Sequence, residues 1–211
     1  NPNDAEFHLD AAILQLKLLQ FSSGWEEYEW RWESANTSSP KFITSKPAWD
    51  GKKTDKKLLI WPEQGVGDKI LFSSMLKEVG LLANKVMVLI DDRLLPIYRR
   101  SFPEIEFIDE KTLIPESDFD VQIPMGSLMK LLRPTLESFQ KAHFPYLISD
   151  HQRELSLRKV LGCNASIKTV CGISWKSANK KLVDIKSIPI LQLSPILNLE
   201  KFDFVSLPYG D

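Results

Sequence analysis

The sequence is poor in cysteine and histidine. Its 211 residues include two cysteines, Cys163 and Cys171, which is too few for a disulfide framework. We expect both to be free thiols in a reducing compartment. The three histidines lie far apart, without the spacing of metal ligands: His8, His143 and His151. The sequence therefore predicts a cytoplasmic protein without a metal site.

An excess of one charge and a long apolar run are also missing. The 27 basic residues nearly balance the 28 acidic ones, for a formal net charge of -1. This balance favours neither a nucleic-acid partner nor a membrane surface. The longest apolar runs, such as residues 86–90, have the length of strands and fall far short of the roughly 18 residues that span a membrane. With 43% hydrophobic residues, the composition is that of an ordinary globular protein.

The first 33 residues are predicted to form a helical hairpin. Residues 5–20 carry apolar side chains every three or four positions, as an amphipathic helix does: Phe7, Ala11, Leu14 and Leu18. A turn is expected at Ser22-Ser23-Gly24, followed by a second short helix. The aromatic residues of that helix share one face, which favours packing over stacking on a sugar: Trp25, Tyr28 and Trp32. Residues 34–56 are polar and contain prolines, which is typical of a linker or of an extended crossing segment, and a packed turn is expected at Trp49-Asp50-Gly51.

From residue 57 onward, strand-like and helix-like patterns alternate. Strands are predicted at residues 58–61, 86–90, 106–108, 120–123, 169–175 and 202–207. The strand at 169–175 is expected to be buried. This alternation predicts an α/β fold with a largely parallel sheet. We place a Rossmann-like lobe at residues 57–150 and the start of a second at 151–211.

The first predicted strand leads into the turn Glu63-Gln64-Gly65-Val66-Gly67-Asp68 and then into a helix. Ligands of open α/β sheets bind at the carboxyl ends of strands. We expect Gly65 and Gly67 to adopt positive φ or to let the backbone approach a ligand. Glu63 and Gln64 either line this site or hydrogen-bond the turn. Asp68 is either a general base or an acid that stabilises the helix dipole.

Five motifs occur in order: Tyr28-Glu29-Trp30-Arg31-Trp32, Trp49-Asp50-Gly51, the turn at 63–68, Gly172-Ile173-Ser174-Trp175, and Val205-Ser206-Leu207-Pro208-Tyr209-Gly210-Asp211. In these motifs the chain resembles bacterial tetratricopeptide-repeat proteins that carry a C-terminal glycosyltransferase-like domain. That domain is similar to the heptosyltransferases and, more distantly, to O-linked N-acetylglucosamine transferases. The resemblance covers nearly the whole chain and implies the two-lobed GT-B fold. It also implies that residues 1–33 are a tetratricopeptide-like hairpin, with upstream repeats that bind a peptide or protein.

The resemblance implies an inverting, metal-independent transfer of a sugar. The donor is a nucleotide-sugar, the acceptor is unidentified, and no separate cofactor takes part. Asp68 matches the position of the base. A loop that contacts phosphate is implied after the strand at 169–175, and the candidates there are Lys176, Ser177 and Lys186. The alternative for this loop is a solvated basic surface.

The chain departs from the resembled proteins near its end. Pro208 follows Leu207 where they have glutamine, and this proline removes a backbone donor. Their nucleotide-binding segment, with Asp-Thr and His-Leu-Ala-Gly motifs, is not in this sequence. We therefore expect this chain to be inactive alone and activity to need the full-length protein. The alternative is a non-catalytic interaction scaffold with a degenerate GT-B domain.

Overall fold

The computed structural model of the chain describes residues 3–35, 40–141, 144–161, 168–176 and 183–207. The chain divides into two compact units, the first ending at Ile148 and the second beginning at Ser149. The first unit contains a helical hairpin and a parallel sheet with its helices, and the second contains a small parallel strand pair. The predicted α/β class with a parallel sheet is confirmed.

The sheet of the first unit has four parallel strands. They are β1 (Thr54–Trp61), β2 (Ala83–Ile90), β3 (Glu106–Asp109) and β4 (Val121–Pro124). Their order across the sheet is β3-β2-β1-β4. The chain thus runs outward from β1 to β3 and then returns to the other side of β1. The strand order reverses between β1 and β4, and in sheets of this kind the crevice at the carboxyl ends there is a preferred place for ligands.

Short helices cover one face of this sheet. They are α3 (Val66–Phe72), α4 (Leu76–Leu82), α5 (Leu95–Ser101) and α6 (Leu128–Leu132). A single 3-10 turn, Ser73–Met75, joins α3 to α4. Because side chains alternate along a strand, one set of residues faces these helices and forms the main core. That set includes Leu58, Ile60, Val86, Val88, Val121 and Ile123.

The other face of the sheet is covered by irregular segments. Its core is Leu59, Trp61, Met87, Leu89 and Phe119, against which Trp32, Phe42, Ile108 and Ile114 pack. Phe42 belongs to the stretch predicted to be a linker, as does buried Trp49. The backbone of Gln122 in β4 donates to Pro47 O at 3.0 Å and accepts from Trp49 N at 2.8 Å. Of the two alternatives for residues 34–56, the contacts favour the extended crossing segment, because part of it covers a sheet edge and a sheet face.

The helical hairpin consists of α1 (Ala5–Lys17) and α2 (Phe21–Tyr28), and a 3-10 turn, Glu29–Trp32, follows it. The connection between the helices is at residues 18–20, where Leu19 has φ +61°. The predicted turn at Ser22-Ser23-Gly24 is therefore wrong, because these residues lie inside α2. Gly24 faces α1, and a Cβ placed there would lie 2.8 Å from Leu16 Cδ2. Its small size serves close helix packing instead of a turn.

The apolar stripe predicted on the first helix does not pack against α2. Phe7, Leu14 and Leu18 are 64%, 60% and 69% exposed. The buried side chain of α1 is Ala12, on a different face. The small residue allows the two helices to approach closely, and the larger apolar side chains remain on the outside.

The second unit consists of short elements in the described residues. They are α7 (His151–Val160), β5 (Thr169–Ile173), α8 (Val183–Lys186), α9 (Ser194–Leu197) and β6 (Phe202–Ser206). Strands β5 and β6 pair in parallel. The prediction that residues 169–175 are buried is wrong, because every described residue of this unit is at least partly exposed. Two strands alone offer little surface for packing.

None of the helices in the described ranges is long and apolar enough to cross a membrane.

The close contact at Gly24 gives the first testable prediction. We expect Gly24→Ala to lower the free energy of unfolding by about 1–3 kcal/mol, because the added methyl group overlaps Leu16. The matched control is Gly80→Ala in α4, where no heavy atom of the described residues lies within 4 Å of the new Cβ. This control should raise stability by up to about 1 kcal/mol, since alanine is the better helix former. Equal effects of the two substitutions in urea unfolding would contradict the prediction.

Candidate functional site

The shape of the turn after β1 does not depend on a glycine with positive φ. Gly65 has φ -85° and ψ 174°, and the residue in the left-handed region is Gln64, with φ +60°. The expectation of positive φ at Gly65 and Gly67 is therefore wrong. The side-chain amide of Gln64 donates to the hydroxyl of Tyr28, which anchors the left-handed residue to the hairpin. A Cβ on Gly67 would meet no heavy atom of the described residues within 4 Å, so the backbone there is open to close approach.

Asp68 lies in the first turn of α3 and is half-buried. Its Oδ2 accepts a hydrogen bond from the backbone N–H of Gly65 at 3.1 Å. This contact satisfies one donor at the helix start. Within the described residues, no donor is bonded to the second oxygen, Oδ1. A cap through one oxygen leaves the other available for chemistry.

Glu63 forms a buried ion pair with Arg31 of the hairpin. Arg31 Nε donates to Glu63 Oε2 at 2.6 Å, and Arg31 Nη2 donates to Glu63 Oε1 at 2.9 Å. The two side chains are 2% and 1% exposed. The guanidinium also stacks on Tyr28 and Trp32, with its central carbon 4.6 Å and 4.5 Å from the two ring centroids. Of the two roles considered for Glu63, this carboxylate hydrogen-bonds the surrounding structure.

The same cluster reaches the turn between β4 and α6. Glu63 Oε1 accepts the backbone N–H of Gly126 at 2.6 Å, and Arg31 Nη2 donates to Ser127 Oγ at 2.8 Å. The hydroxyl of Ser127 donates to Glu29 Oε1 at 2.7 Å. Glu63 follows β1 and Gly126 follows β4, so the pair lies at the reversal of strand order. Side chains of this chain therefore fill the crevice that open α/β sheets commonly offer to ligands.

The charges in this cluster support one another. Burial lowers the pKa of Arg31, but the hydrogen bonds and negative charge of Glu63 and the charge of Glu29 outweigh it, so that the pKa of Arg31 is raised. Burial also raises the pKa of Tyr28, although its contact with Gln64 works in the opposite direction. Arg31 therefore remains charged and Tyr28 neutral across the physiological pH range.

A groove of about 830 Å³ opens beside this cluster, at the carboxyl ends of β1, β2 and β3. Its volume is within the range of sites for small molecules. One wall is the segment that contains Phe42 and Ile43, and the opposite wall is the loop 110–114. Trp61 and Leu89 contribute to the floor. Glu63 and Gln64 border one end of the groove, whereas Asp68 is not among its lining residues.

Lys69 and Glu110 form an ion pair in this groove. Lys69 Nζ lies 2.5 Å from Glu110 Oε2, and the two side chains are 8% and 25% exposed. Neither residue is among the site residues predicted from the sequence. The sequence does carry a signal for Glu110, because this residue lies two positions after a predicted strand and carboxyl ends of strands position ligand-binding groups. Lys69 gave no such signal, since a lysine near a helix start is usually exposed.

The two walls of the groove are joined by Glu116. Its carboxylate accepts hydrogen bonds from Thr44 Oγ1 at 2.5 Å, Ser45 N at 2.6 Å and Ser45 Oγ at 2.5 Å. These bonds lower the pKa of Glu116 to about 2, with the Ser45 hydroxyl as the largest cause. Glu116 therefore holds the segment of residues 40–45 against the loop after β3.

The residues predicted to contact phosphate lie in the second unit. Lys176 is exposed three positions after the end of β5, Lys186 is exposed at the end of α8, and Ser177 lies outside the described residues. The backbone N–H of Ile188 donates to Trp175 O at 2.9 Å, which brings the segment after α8 beside the end of β5. The residues of the 63–68 turn belong to the first unit. In the described residues, no group of three histidine, cysteine, aspartate or glutamate side chains is placed to hold a metal ion.

Comparison with known proteins gives a distant likeness. The chain is 29% identical over 238 aligned positions to Protein FlbA of Caulobacter vibrioides (strain ATCC 19089 / CIP 103742 / CB 15). The alignment covers the whole chain but 38% of that protein, so the chain spans well under half the length of this relative. No protein-family model matches the chain, and no solved structure matches it.

The ion pair of Arg31 and Glu63 gives the second prediction. We expect Arg31→Met to lower the free energy of unfolding by about 3–5 kcal/mol, because it leaves the buried carboxylate of Glu63 without its partner. Adding Glu63→Gln should restore about 2 kcal/mol, since glutamine is uncharged and its oxygen still accepts the N–H of Gly126. A single variant within about 0.5 kcal/mol of the unmodified chain in urea unfolding would refute this role.

The Glu116 contacts give a prediction of pH dependence. The folded pKa is about 2 against an ordinary value of 4.5, so these contacts stabilise the fold above pH 4.5 and are lost as the pH falls toward 2. NMR titration should find that the Glu116 carboxyl and the Ser45 amide share a midpoint near 2. Glu116→Gln should remove this response of Ser45, whereas Glu104→Gln, at an exposed site, should preserve it. A midpoint near that of a free glutamate would rule out the clamp.

Proposed function

We propose that this chain is part of an inverting glycosyltransferase in which Asp68 is the general base. The observation that carries the proposal is the position of Asp68 at the carboxyl end of a central parallel strand, with one carboxylate oxygen bonded to Gly65 and the other without a donor in the described residues. The open space at Gly67 supports it, because glycine in a helix costs stability and here no packing contact requires it.

The proposed reaction is a single displacement. The acceptor oxygen attacks the anomeric carbon of the nucleotide-sugar and forms the new glycosidic bond. The bond between that carbon and the phosphate oxygen breaks, and the nucleoside diphosphate leaves with the electron pair. The acceptor proton goes to Asp68 Oδ1, and the configuration at the anomeric carbon inverts.

The remaining assignments follow from the family resemblance. Lys176, Ser177 and Lys186 are the candidates for neutralising the leaving phosphates. The transfer needs no metal ion and no cofactor besides the nucleotide-sugar substrate, and it takes place in the cytoplasm. The hairpin formed by α1 and α2 is the last of several tetratricopeptide-like units that bind a peptide or protein. Activity requires the full-length protein, with this chain contributing the first lobe and the start of the second.

A non-catalytic interaction scaffold is the second candidate. The exposed apolar side chains on α1, Phe7, Leu14 and Leu18, favour it, because such a stripe is available for contact with another helix. The capping bond of Asp68 also favours it, since that bond gives the carboxylate a structural role that needs no reaction. The two candidates differ in what happens when Asp68 loses its charge but keeps its cap.

The fourth prediction separates the cap from the base. In the full-length protein, Asp68→Asn should lower kcat by about 10²–10⁴-fold, because the amide does not accept the acceptor's proton. Its stability should change by less than about 0.5 kcal/mol, since the asparagine oxygen still accepts the N–H of Gly65. Asp68→Ala should lose the activity and also about 0.5–1 kcal/mol of stability. Turnover is measured by the release of nucleoside diphosphate, and stability by urea unfolding.

Asp55→Asn is the matched control, because Asp55 is exposed at the start of β1, at the opposite end of the strand. It should leave turnover unchanged. An Asp68→Asn enzyme with normal turnover would exclude the base, and a full-length protein without turnover of any nucleotide-sugar would favour the scaffold. This chain alone should bind a nucleoside diphosphate weakly or not at all in calorimetry. Tight binding would contradict the proposal that nucleotide binding requires the full-length protein.

A further inference from the structure

We propose that the groove at the ends of β1, β2 and β3 binds a hydroxylated sugar ring carrying an apolar substituent, with Lys69 and Glu110 as its polar anchor. This inference rests on the proposed function only in identifying the bound sugar as the acceptor. The groove itself is defined by residues other than Asp68.

The first argument is the hydrogen-bonding capacity of Lys69. Its ammonium group carries three N–H donors, and its side chain is 92% buried, since 8% remains exposed. Among the described residues, the acceptor bonded to it is Glu110 Oε2. A buried donor without an acceptor is costly, so the site favours a ligand that brings oxygen atoms to Lys69. A ligand bound in the groove would supply those oxygen atoms, because Lys69 is one of the lining residues.

The second argument is the pairing of a donor with an acceptor. Glu110 follows β3 and is partly exposed, so its carboxylate is accessible from the groove. A hydroxyl group both accepts and donates, and it matches an ammonium group next to a carboxylate. The existing pair already neutralises the charge of Lys69, which favours a neutral hydroxyl over a phosphate. A polyol with two adjacent hydroxyl groups would engage both residues.

The third argument is the apolar rim. Ile43 and Leu113 stand on opposite walls of the groove and are 95% and 94% exposed. Through its bonds to Thr44 and Ser45, Glu116 ties the segment that carries Ile43 to the chain just after the loop that carries Leu113. Large apolar side chains at the mouth of a groove with a few polar groups inside are typical of small-molecule sites. A ring with an apolar substituent would cover this rim while its hydroxyl groups reach Lys69.

The position of the groove connects it to Asp68. Lys69 and Asp68 are consecutive residues in the first turn of α3, so a ligand bound to Lys69 lies at the same edge of the sheet as the proposed base. The crevice on the other side of β1 is filled by Arg31 and Glu63. Among the described residues at this edge, the groove is therefore where a ring has room.

The test is an NMR titration of the 211-residue chain with methyl glucoside, methyl galactoside, methyl mannoside, phenyl glucoside and sodium phosphate. We expect at least one glycoside to shift the amide signals of residues 41–43 and 110–114. Lys69→Met should weaken this binding at least about tenfold, because a hydrogen bond to a charged group is lost. Lys85→Met is the matched control, since Lys85 is exposed near the start of β2. It should leave the binding unchanged.

Leu113→Ser provides a variant that does not endanger the fold, because this side chain is almost fully exposed. It should weaken the binding of phenyl glucoside several-fold and leave the binding of methyl glucoside nearly unchanged, because only the phenyl group reaches the rim. Glu110→Gln should weaken the binding of every glycoside that the unmodified chain binds. This variant provides the deciding test if Lys69→Met fails to fold. Absence of binding by all glycosides, equal binding by the Lys69 variant, or binding of phosphate alone would overturn the proposal.

Asp68→Asn should leave glycoside binding intact. Glycoside binding without any transferase activity in the full-length protein would reject the proposed function but preserve the sugar site. Activity that depends on Asp68 but not on Lys69 or Glu110 would reject the sugar site and preserve the function.

Discussion

The buried pair of Arg31 and Glu63 is the interaction on which the rest of the first unit depends. A guanidinium removed from water needs its charge and its donors satisfied, and Glu63, Glu29 and Ser127 supply this. These partners come from the hairpin, from the end of β1 and from the turn after β4. The pair thus joins three parts of the chain that are distant in sequence. The hairpin is consequently an integral part of the sheet's carboxyl edge.

Filling the crevice between β1 and β4 determines where ligands are able to bind. In an open α/β sheet that crevice is the usual ligand position. Here the side chains of Arg31 and Glu63 fill it, and both are almost completely buried. The space that remains at this edge lies over β1, β2 and β3 in the groove, and around the open backbone at Gly67. Because Arg31, which lies outside the sheet, fills this crevice, the accessible surface at this edge lies away from the point of strand reversal.

The sequence predicted the sheet because short apolar runs and helix-like patterns alternate, and no competing signal disturbs that pattern. The hairpin turn was misplaced because Ser-Ser-Gly is typical of a turn, whereas Gly24 serves close packing on Leu16. The pairing of Arg31 with Glu63, which are 32 positions apart, carries no local signal. Gln64 shows a further limit, since its left-handed backbone depends on a contact with Tyr28 in the hairpin. Contacts between distant segments decided each of these features.

The first turn of α3 carries two charged side chains at this edge of the sheet, Asp68 and Lys69. Consecutive residues of a helix point about 100° apart, so Asp68 and Lys69 face different directions from one backbone position. Asp68 reaches back to the turn at Gly65, and Lys69 points into the groove toward Glu110. Gln64 precedes this turn and is bonded to Tyr28, while Glu63 is bonded to Arg31. The hairpin therefore fixes the start of the helix, and the helix start fixes the directions of the carboxylate and the ammonium group.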